Sequence, residues 1–438
     1  MTCMVGVAVS FFDMMGYVLR ESYFCMAKII LLTSSRVQWL CCVATLWMLG
    51  LGLPAATHAK ADDGSALASW AAWAEANVSP VPVAGGVSAS ASAAVGPVRV
   101  SASAPAATSR WLNVPRVFKH ITARELGLVI NLADPYSVEV GEYYRQVRNI
   151  PAEHVLKVNL PRKPQLDSAE LDQLRDQVAR HFDEHVQALA LAWVEPWSVT
   201  CQSITSALSL GLEPGLCSNT CGPARLSPLF NSASGAPWHD HGVRPTMLLA
   251  APDFALARSL IDRGVAADHT LGLLGRPPVH VWFMSTHDAA RNVRAAHFPP
   301  PGLIGRPPLQ VHVEQGDLPR DSADIVLLQT GLPRLNAATV DSLGFVPGAL
   351  ADHLTSYGGR LTEPLGQTSA LSWISAGATA SYGTVSEPCN HLQKFPHPQV
   401  LLLHYAQGAS ALEAYWKSVA WPAQGVFIGD PLAAPFAR

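Results

Sequence analysis

Glu125-Leu-Gly-Leu-Val-Ile-Asn-Leu-Ala-Asp-Pro-Tyr-Ser137 decides the architecture. Leu126 to Leu132 is a nearly continuous apolar run, the pattern of a strand buried on both faces rather than one with a wet side. Asp134-Pro-Tyr-Ser137 then opens a helix running toward Arg148, with Val140, Tyr143, Tyr144 and Val147 on one stripe. A strand of the buried kind feeding a helix is the repeating step of an α/β protein.

The step recurs toward the C-terminus from there. Val155 to Leu160 reads as a second strand, and a helix after Asp167-Ser168 carries Leu171, Leu174, Val178 and Phe182 at helical spacing. Ala188 to Val194 is a third strand. After an irregular segment from Glu195 to Arg244 the rhythm resumes with a strand at Thr246–Ala251. A helix follows, capped by Asp253, with Ala257, Leu260 and Ile261 inward and Gly264 ending it. Further strands are expected at Val279–Met284, Leu309–Val313, Asp324–Leu328 and Ala378–Val385, the last preceded by a helix from Ser369 to Gly377. A closing helix, Ser410 to about Val419, leads to Gly425-Val-Phe-Ile-Gly-Asp-Pro431. The fold class is α/β: a mainly parallel sheet with helices on both faces, in one large domain spanning 121–438.

The N-terminal quarter follows other rules. Lys28 and Arg36 stand ahead of an apolar core from Trp39 to Leu53, and small residues precede Lys60, the layout of a secretory signal cleaved near Ala59. Residues 1–59 are read as that signal, with Met26 a better-formed start than Met1. The alternative is an uncleaved anchor, since the apolar core falls short of the roughly 20 residues of a spanning helix but could be extended by its flanks. Residues 60–120 are dominated by Ala, Ser, Val, Gly and Pro, too poor in large apolar side chains to offset ordering entropy, and are expected to form a flexible spacer. The mature chain is therefore placed in the periplasm or outside the cell, with no membrane span of its own.

A formal charge of -3, 14% charged residues and no basic patch argue against a nucleic-acid partner held by counterion release. Cys3, Cys25, Cys41 and Cys42 leave with the leader, while Cys201, Cys217, Cys221 and Cys389 remain. An even number of cysteines in an oxidising compartment predicts two disulfides, with three connectivities open. A zinc reading of Cys217-x-x-x-Cys221 lacks a His pair at suitable spacing, and His239-Asp-His241 is read as a polar loop, so no metal is expected. There is no GxGxxG, P-loop or GxSxG, and no cofactor is expected.

In sheets of this kind ligands bind beyond the carboxyl ends of the strands. Asn131, Asp134, Glu195, Asp253, Thr286, Asp288, Thr330, Glu387 and Cys389 all follow strands, although helix capping is the preferred reading of Asp134 and Asp253. Arg291 and Arg294 are three apart and expected on one helix face, where they could clamp an anion, although a solvated or structural face is the preferred reading. Pro347 to Gly359 holds Asp352, His353, Thr355 and Ser356 ahead of Gly358-Gly359, a pair that lets the backbone come close or turn sharply. His353 with Ser356 or Cys389 is the candidate base and nucleophile. Asp352, Thr330, Glu387, Asn390, Asp288 and Arg291 are the candidate binding residues. Counting cysteines makes Cys389 a disulfide half in preference to a nucleophile.

Several phrases carry a resemblance: Asp134-Pro-Tyr-Ser-Val with Glu142-Tyr-Tyr, Ile150-Pro-Ala-Glu, Ser203-Ile-Thr-Ser-Ala207, Arg244-Pro-Thr-Met, Leu260-Ile-Asp-Arg-Gly-Val, Ala351 to Gly359, Ala376 to Cys389, and Gly429-Asp-Pro-Leu. Through them the span from about Leu126 to Phe436 resembles a family of secreted bacterial proteins of unassigned function. More remotely, the helix ending at Gly377-Ala378, the small-residue strand after it and the closing Phe427 to Pro431 are similar to the end of the catalytic domain of gingipain-type cysteine peptidases. That resemblance implies a caspase-like three-layer sandwich. In those peptidases one strand ends in His-Gly and the next in the nucleophilic Cys. Here Ile325 to Leu328 runs into Gln329-Thr330-Gly331, and the segment expected at the nucleophile, Ala351 to Ser356, offers a hydroxyl. Neither half of the dyad is carried over, and Cys389 lies beyond the next helix and strand. The function is left unassigned: the expectation is a secreted or envelope-associated, divergent or non-catalytic relative, with a peptide or envelope component as one candidate for an unknown partner. The alternative is an active cell-envelope hydrolase using His353 with Ser356 or Cys389.

Overall fold

A computed structural model describes residues 110–438 apart from 274, 275 and 321, so the expected signal and most of the expected spacer lie outside the described residues. The strands, in chain order, are β1 (Leu126–Asn131), β2 (Val155–Val158), β3 (Gln165–Leu166), β4 (Ala188–Leu191), β5 (Ser198–Val199), β6 (Gln202–Ser203), β7 (Thr246–Leu248), β8 (Val279–Ser285), β9 (Gly302–Gly305), β10 (Pro308–Gln315), β11 (Ile325–Thr330), β12 (Phe345–His353), β13 (Ala380–Thr384) and β14 (Gly425–Gly429). Eleven of them form one sheet in the order β2-β1-β4-β7-β14-β13-β12-β11-β8-β10-β9, and β3-β5-β6 form a small second sheet. β2, β1, β4 and β7 are mutually parallel, as are β13, β12, β11, β8 and β10. β14 runs antiparallel to β13, and β9 folds back antiparallel on β10.

The sequence pattern explains the core. β1, β4, β7, β11, β13 and β14 are buried at every residue, so both faces of the sheet are covered. The helix Pro135–Arg148 turns Val140, Gly141 and Tyr144 inward. Gly141 sits so close to β1 that a Cβ there would press into the Ile130 side chain. Helix Ser168–His181 begins with a capping box, in which Asp167 accepts from Glu170 N and Glu170 reaches back to the Asp167 backbone.

Three expectations change. Asp134 occupies the N-cap position, where its backbone carbonyl accepts Val138 N at 3.1 Å, but its side chain makes no cap bond and pairs instead with Arg162 at 3.3 Å. Gly264 does not end its helix, which runs from Phe254 to Ala267; it is a packing residue, because a Cβ there would collide with the Asp430 carboxylate. Asp253 does cap that helix, accepting from Leu256 N at 2.8 Å. Residues 110–120, assigned to the spacer by composition, are tied to the body: Gln399 bonds Leu112 N at 2.7 Å and Arg110 O at 3.1 Å.

The chain end is anchored by a buried polar knot. Asp430, fully buried, accepts from Tyr144 Oη at 2.6 Å and pairs with Arg148, which also pairs with Asp268. This joins the first helix of the fold to the segment after its last strand.

Candidate functional site

The loops that follow β4, β12 and β13 gather at one end of the sheet. Thr362 Oγ1 donates to Glu195 at 2.5 Å and receives Trp197 Nε1 at 3.1 Å. Ser386 Oγ donates to the Cys201 carbonyl at 2.7 Å. Two glycines make the crossing of the β12 loop over β13 feasible: a Cβ on Gly383 would collide with the backbone of Gly358 and Gly359, and one on Gly359 with Gly383. Thr384 fastens the crossing, donating its hydroxyl to the carbonyls of Thr355 at 3.0 Å and Ser356 at 2.9 Å while its own carbonyl accepts Gly359 N at 2.9 Å.

His353 ends β12 but faces the core. Trp373 Nε1 donates to its Nδ1 at 2.9 Å, which leaves Nε2 carrying the proton and donating to the Thr368 carbonyl at 3.1 Å. Burial pulls its pKa down to about 4; the Arg294 charge adds to this, and the Thr368 carbonyl opposes it. Both nitrogens are engaged, so neither is left to take a proton from Ser356. The expected His353–Ser356 pair is not assembled, because alternate residues of a strand face opposite ways and this one faces the Trp373 helix.

Asp352 points to the other face. It forms an ion pair with Arg294, Nη1 to Oδ1 at 2.5 Å, and accepts from Gln329 Nε2 at 2.9 Å. Each partner of the pair is only about 2% exposed. Burial raises the Asp352 pKa, and Arg294 together with Gln329 pulls it back. Arg294 also donates to the Thr330 carbonyl at 2.6 Å, and Thr330 Oγ1 donates to Asp317 O at 2.7 Å. Asp352 and Thr330 are thus ligated from within. Arg291 and Arg294 do not share a helix face: a turn holds Arg291 and a 3-10 segment, Val293–His297, carries Arg294 inward. Arg291 closes on Asp288 at 2.7 Å and Arg294 on Asp352, so both guanidiniums are taken up by the chain's own carboxylates rather than left to clamp an external anion.

Cys389 is bonded to Cys221, and Cys201 to Cys217, which selects one of the three connectivities and removes Cys389 as a thiol nucleophile. Cys389 and Asn390 both adopt left-handed backbone at φ 55°. Glu387 holds this turn, its Oε1 accepting Cys389 N at 2.8 Å. Below it, the Lys394 ammonium donates to the Thr220 carbonyl at 2.5 Å, and burial lowers its pKa to about 8. Glu387 and Asn390 shape the wall on which the disulfide sits.

Sequence reasoning passed over Arg360. Its Nε donates to the Val385 carbonyl at 2.9 Å, and its guanidinium lies 5.3 Å from the Tyr357 ring centre and 5.7 Å from that of Trp197. No ion pair reaches it among the described residues. Only the glycine pair beside it hinted that this loop is pressed against β13. His239 and His241 lie in a short helix, Pro237–His241, rather than a loop: His239 contacts Asp240 at 2.9 Å and His241 contacts Ser232 at 3.1 Å. No three His, Cys, Asp or Glu side chains among the described residues gather closely enough to enclose a metal ion. No helix among them is long and apolar enough to cross a membrane.

No protein-family profile and no curated protein matches the sequence. Among solved structures, the chain is similar to the crystal structure of the Arg-specific cysteine proteinase gingipain R, with 10% identity, a TM-score of 0.34, and coverage of 72% of this chain and 80% of that one. A structure described as a protease is similar at 9% identity and a TM-score of 0.35, covering 72% of this chain and 79% of that one.

Proposed function

We propose that the described domain is a binding module of an exported or envelope-associated protein, a non-catalytic or divergent relative of peptidases, with a peptide or envelope component as its ligand. The observation that carries this reading is the fate of the three candidate catalytic groups: both His353 nitrogens are hydrogen-bonded inside the core and so unavailable to Ser356, and Cys389 is oxidised. A serine hydroxyl without an adjacent base is a poor nucleophile. Two disulfides in one domain suit an oxidising compartment. The ligand surface in this reading is the end of the sheet where Arg360, held between Tyr357 and Trp197, offers a cation without an internal counter-charge.

The experiment is a turnover assay of the purified mature chain on peptide, ester and peptidoglycan substrates, beside Ser356→Ala and His353→Gln. The reading expects no turnover above the blank from any of the three. Turnover by the parent chain that either substitution abolishes, with folding intact, establishes the alternative, an active hydrolase.

A further inference from the structure

Toward the β9 edge of the sheet, two imidazoles meet across adjacent strands. His280 on β8 and His312 on β10 place Nδ1 and Nε2 2.9 Å apart, with ring centres separated by 5.1 Å. The register opposes His312 to Trp282 and Gln310 to His280, so the histidines are diagonal neighbours on one face of a parallel pair. The Trp282 indole lies flat against His312, ring centres 3.9 Å apart and 9° from parallel, and its buried Nε1 has no hydrogen-bond partner. Glu314 falls two residues beyond His312, hence on the same face, and is exposed. All of these lie near the sheet's end, where only the four-residue β9 stands outside β10.

We propose that His280 and His312 form an open surface site for a divalent transition-metal ion of the copper or nickel class. Two nitrogens held about 2.0–2.1 Å from one ion at a right angle stand about 2.9 Å apart, which is the separation seen here. Right-angled nitrogen and oxygen donors suit square-planar or tetragonal Cu²⁺ and Ni²⁺, whereas Ca²⁺ and Mg²⁺ want oxygen ligands. The histidine that donates the shared hydrogen bond moves that proton to its other ring nitrogen, and the two rings tilt so that both lone pairs face the ion. No net proton or electron is exchanged. Water completes the coordination, and the Glu314 carboxylate adds favourable charge nearby. Two protein ligands make this an open site, unlike the enclosed sites of three or four ligands.

The test is a CuCl₂ titration of tag-free protein at neutral pH, followed by calorimetry and tryptophan fluorescence, on the parent, His280→Gln, His312→Gln and Trp282→Phe. Glutamine keeps a hydrogen-bonding group, and thermal unfolding verifies each fold. The expected result is one site per chain that weakens by about tenfold or more in either glutamine variant. In Trp282→Phe the ion still binds, but a large part of the fluorescence quenching is lost. Equal binding by the parent and both glutamine variants assigns the ion to other histidines and overturns the proposal. So does the absence of parent binding below about 1 mM, a binding free energy of only about 4 kcal/mol.

Discussion

His353 offers a quantitative handle on the site. In the folded chain it is neutral, with its pKa drawn down to about 4 by burial, then by Arg294, against the Thr368 carbonyl. In the unfolded chain it titrates near 6.5. As pH falls below 6.5 the unfolded state takes up the proton first, so the stability His353 contributes is complete above 6.5 and is lost progressively down to about pH 4. Between pH 7 and pH 5 the loss is on the order of 2 kcal/mol from this residue alone. His397 and His404, both lowered to about 3 chiefly by burial, steepen the parent's profile in the same direction. The perturbation is therefore His353→Gln, whose amide can accept from Trp373 and donate to Thr368 but does not titrate. Urea unfolding at pH 7 and pH 5, disulfides intact, gives the two free energies for each protein. The variant should lose about 2 kcal/mol less than the parent over this interval. An unchanged pH dependence means that His353 is not the buried neutral group described, and that it is free to act as a base.

Asp352→Ala should destabilise the fold by about 3–5 kcal/mol, because Arg294 is left charged and buried without its partner. Replacing both by apolar residues of similar size should recover most of that loss; denaturant midpoints decide, and a cost below about 1 kcal/mol for Asp352→Ala contradicts the pair's burial. Gly383→Ala should unseat the 358–360 loop, since its Cβ meets backbone rather than a movable side chain, and should cost more than the roughly 1 kcal/mol of an ordinary point mutation. Limited proteolysis at that loop and the unfolding midpoint report it, and parent-like behaviour in both argues against the close crossing.

How much of this was legible beforehand depends on what each element buries. β1, β4, β7 and β11 are continuous apolar runs, and the runs are what a sheet covered on both faces requires. β12 is interrupted in the sequence by Pro347-Gly348, residues that seldom sit inside a strand; in the fold Gly348 has φ 86° and lies against Pro435 and Ala267. The helix Pro398–Ala406 is buried almost all round, from Val400 through Leu402 to His404 and Tyr405, so it has no polar stripe to betray its period. Gly264 matched a helix stop by type alone, and only the approach of Asp430, 166 positions later, gives its reason.

The candidate site was legible as a place rather than as a set of roles. Asp352, His353, Glu387 and Cys389 do lie in the segments that end β12 and follow β13. What each one does is set by partners distant in sequence. Arg294 is 58 residues from Asp352, and Cys221 is 168 from Cys389. Strand parity sends Asp352 and His353 to opposite faces, which already weighs against their sharing one cleft.

Cysteine connectivity tests the central claim most directly, namely that the polar groups at this end of the sheet are framework and not a nucleophile and its base. The protein, purified without reductant, is alkylated under denaturing, non-reducing conditions, digested, and read by mass spectrometry. The account predicts linked peptides for Cys201–Cys217 and Cys221–Cys389, with none of these four cysteines alkylated. Alkylated Cys389 in that sample contradicts it and returns a free thiol to the end of β13.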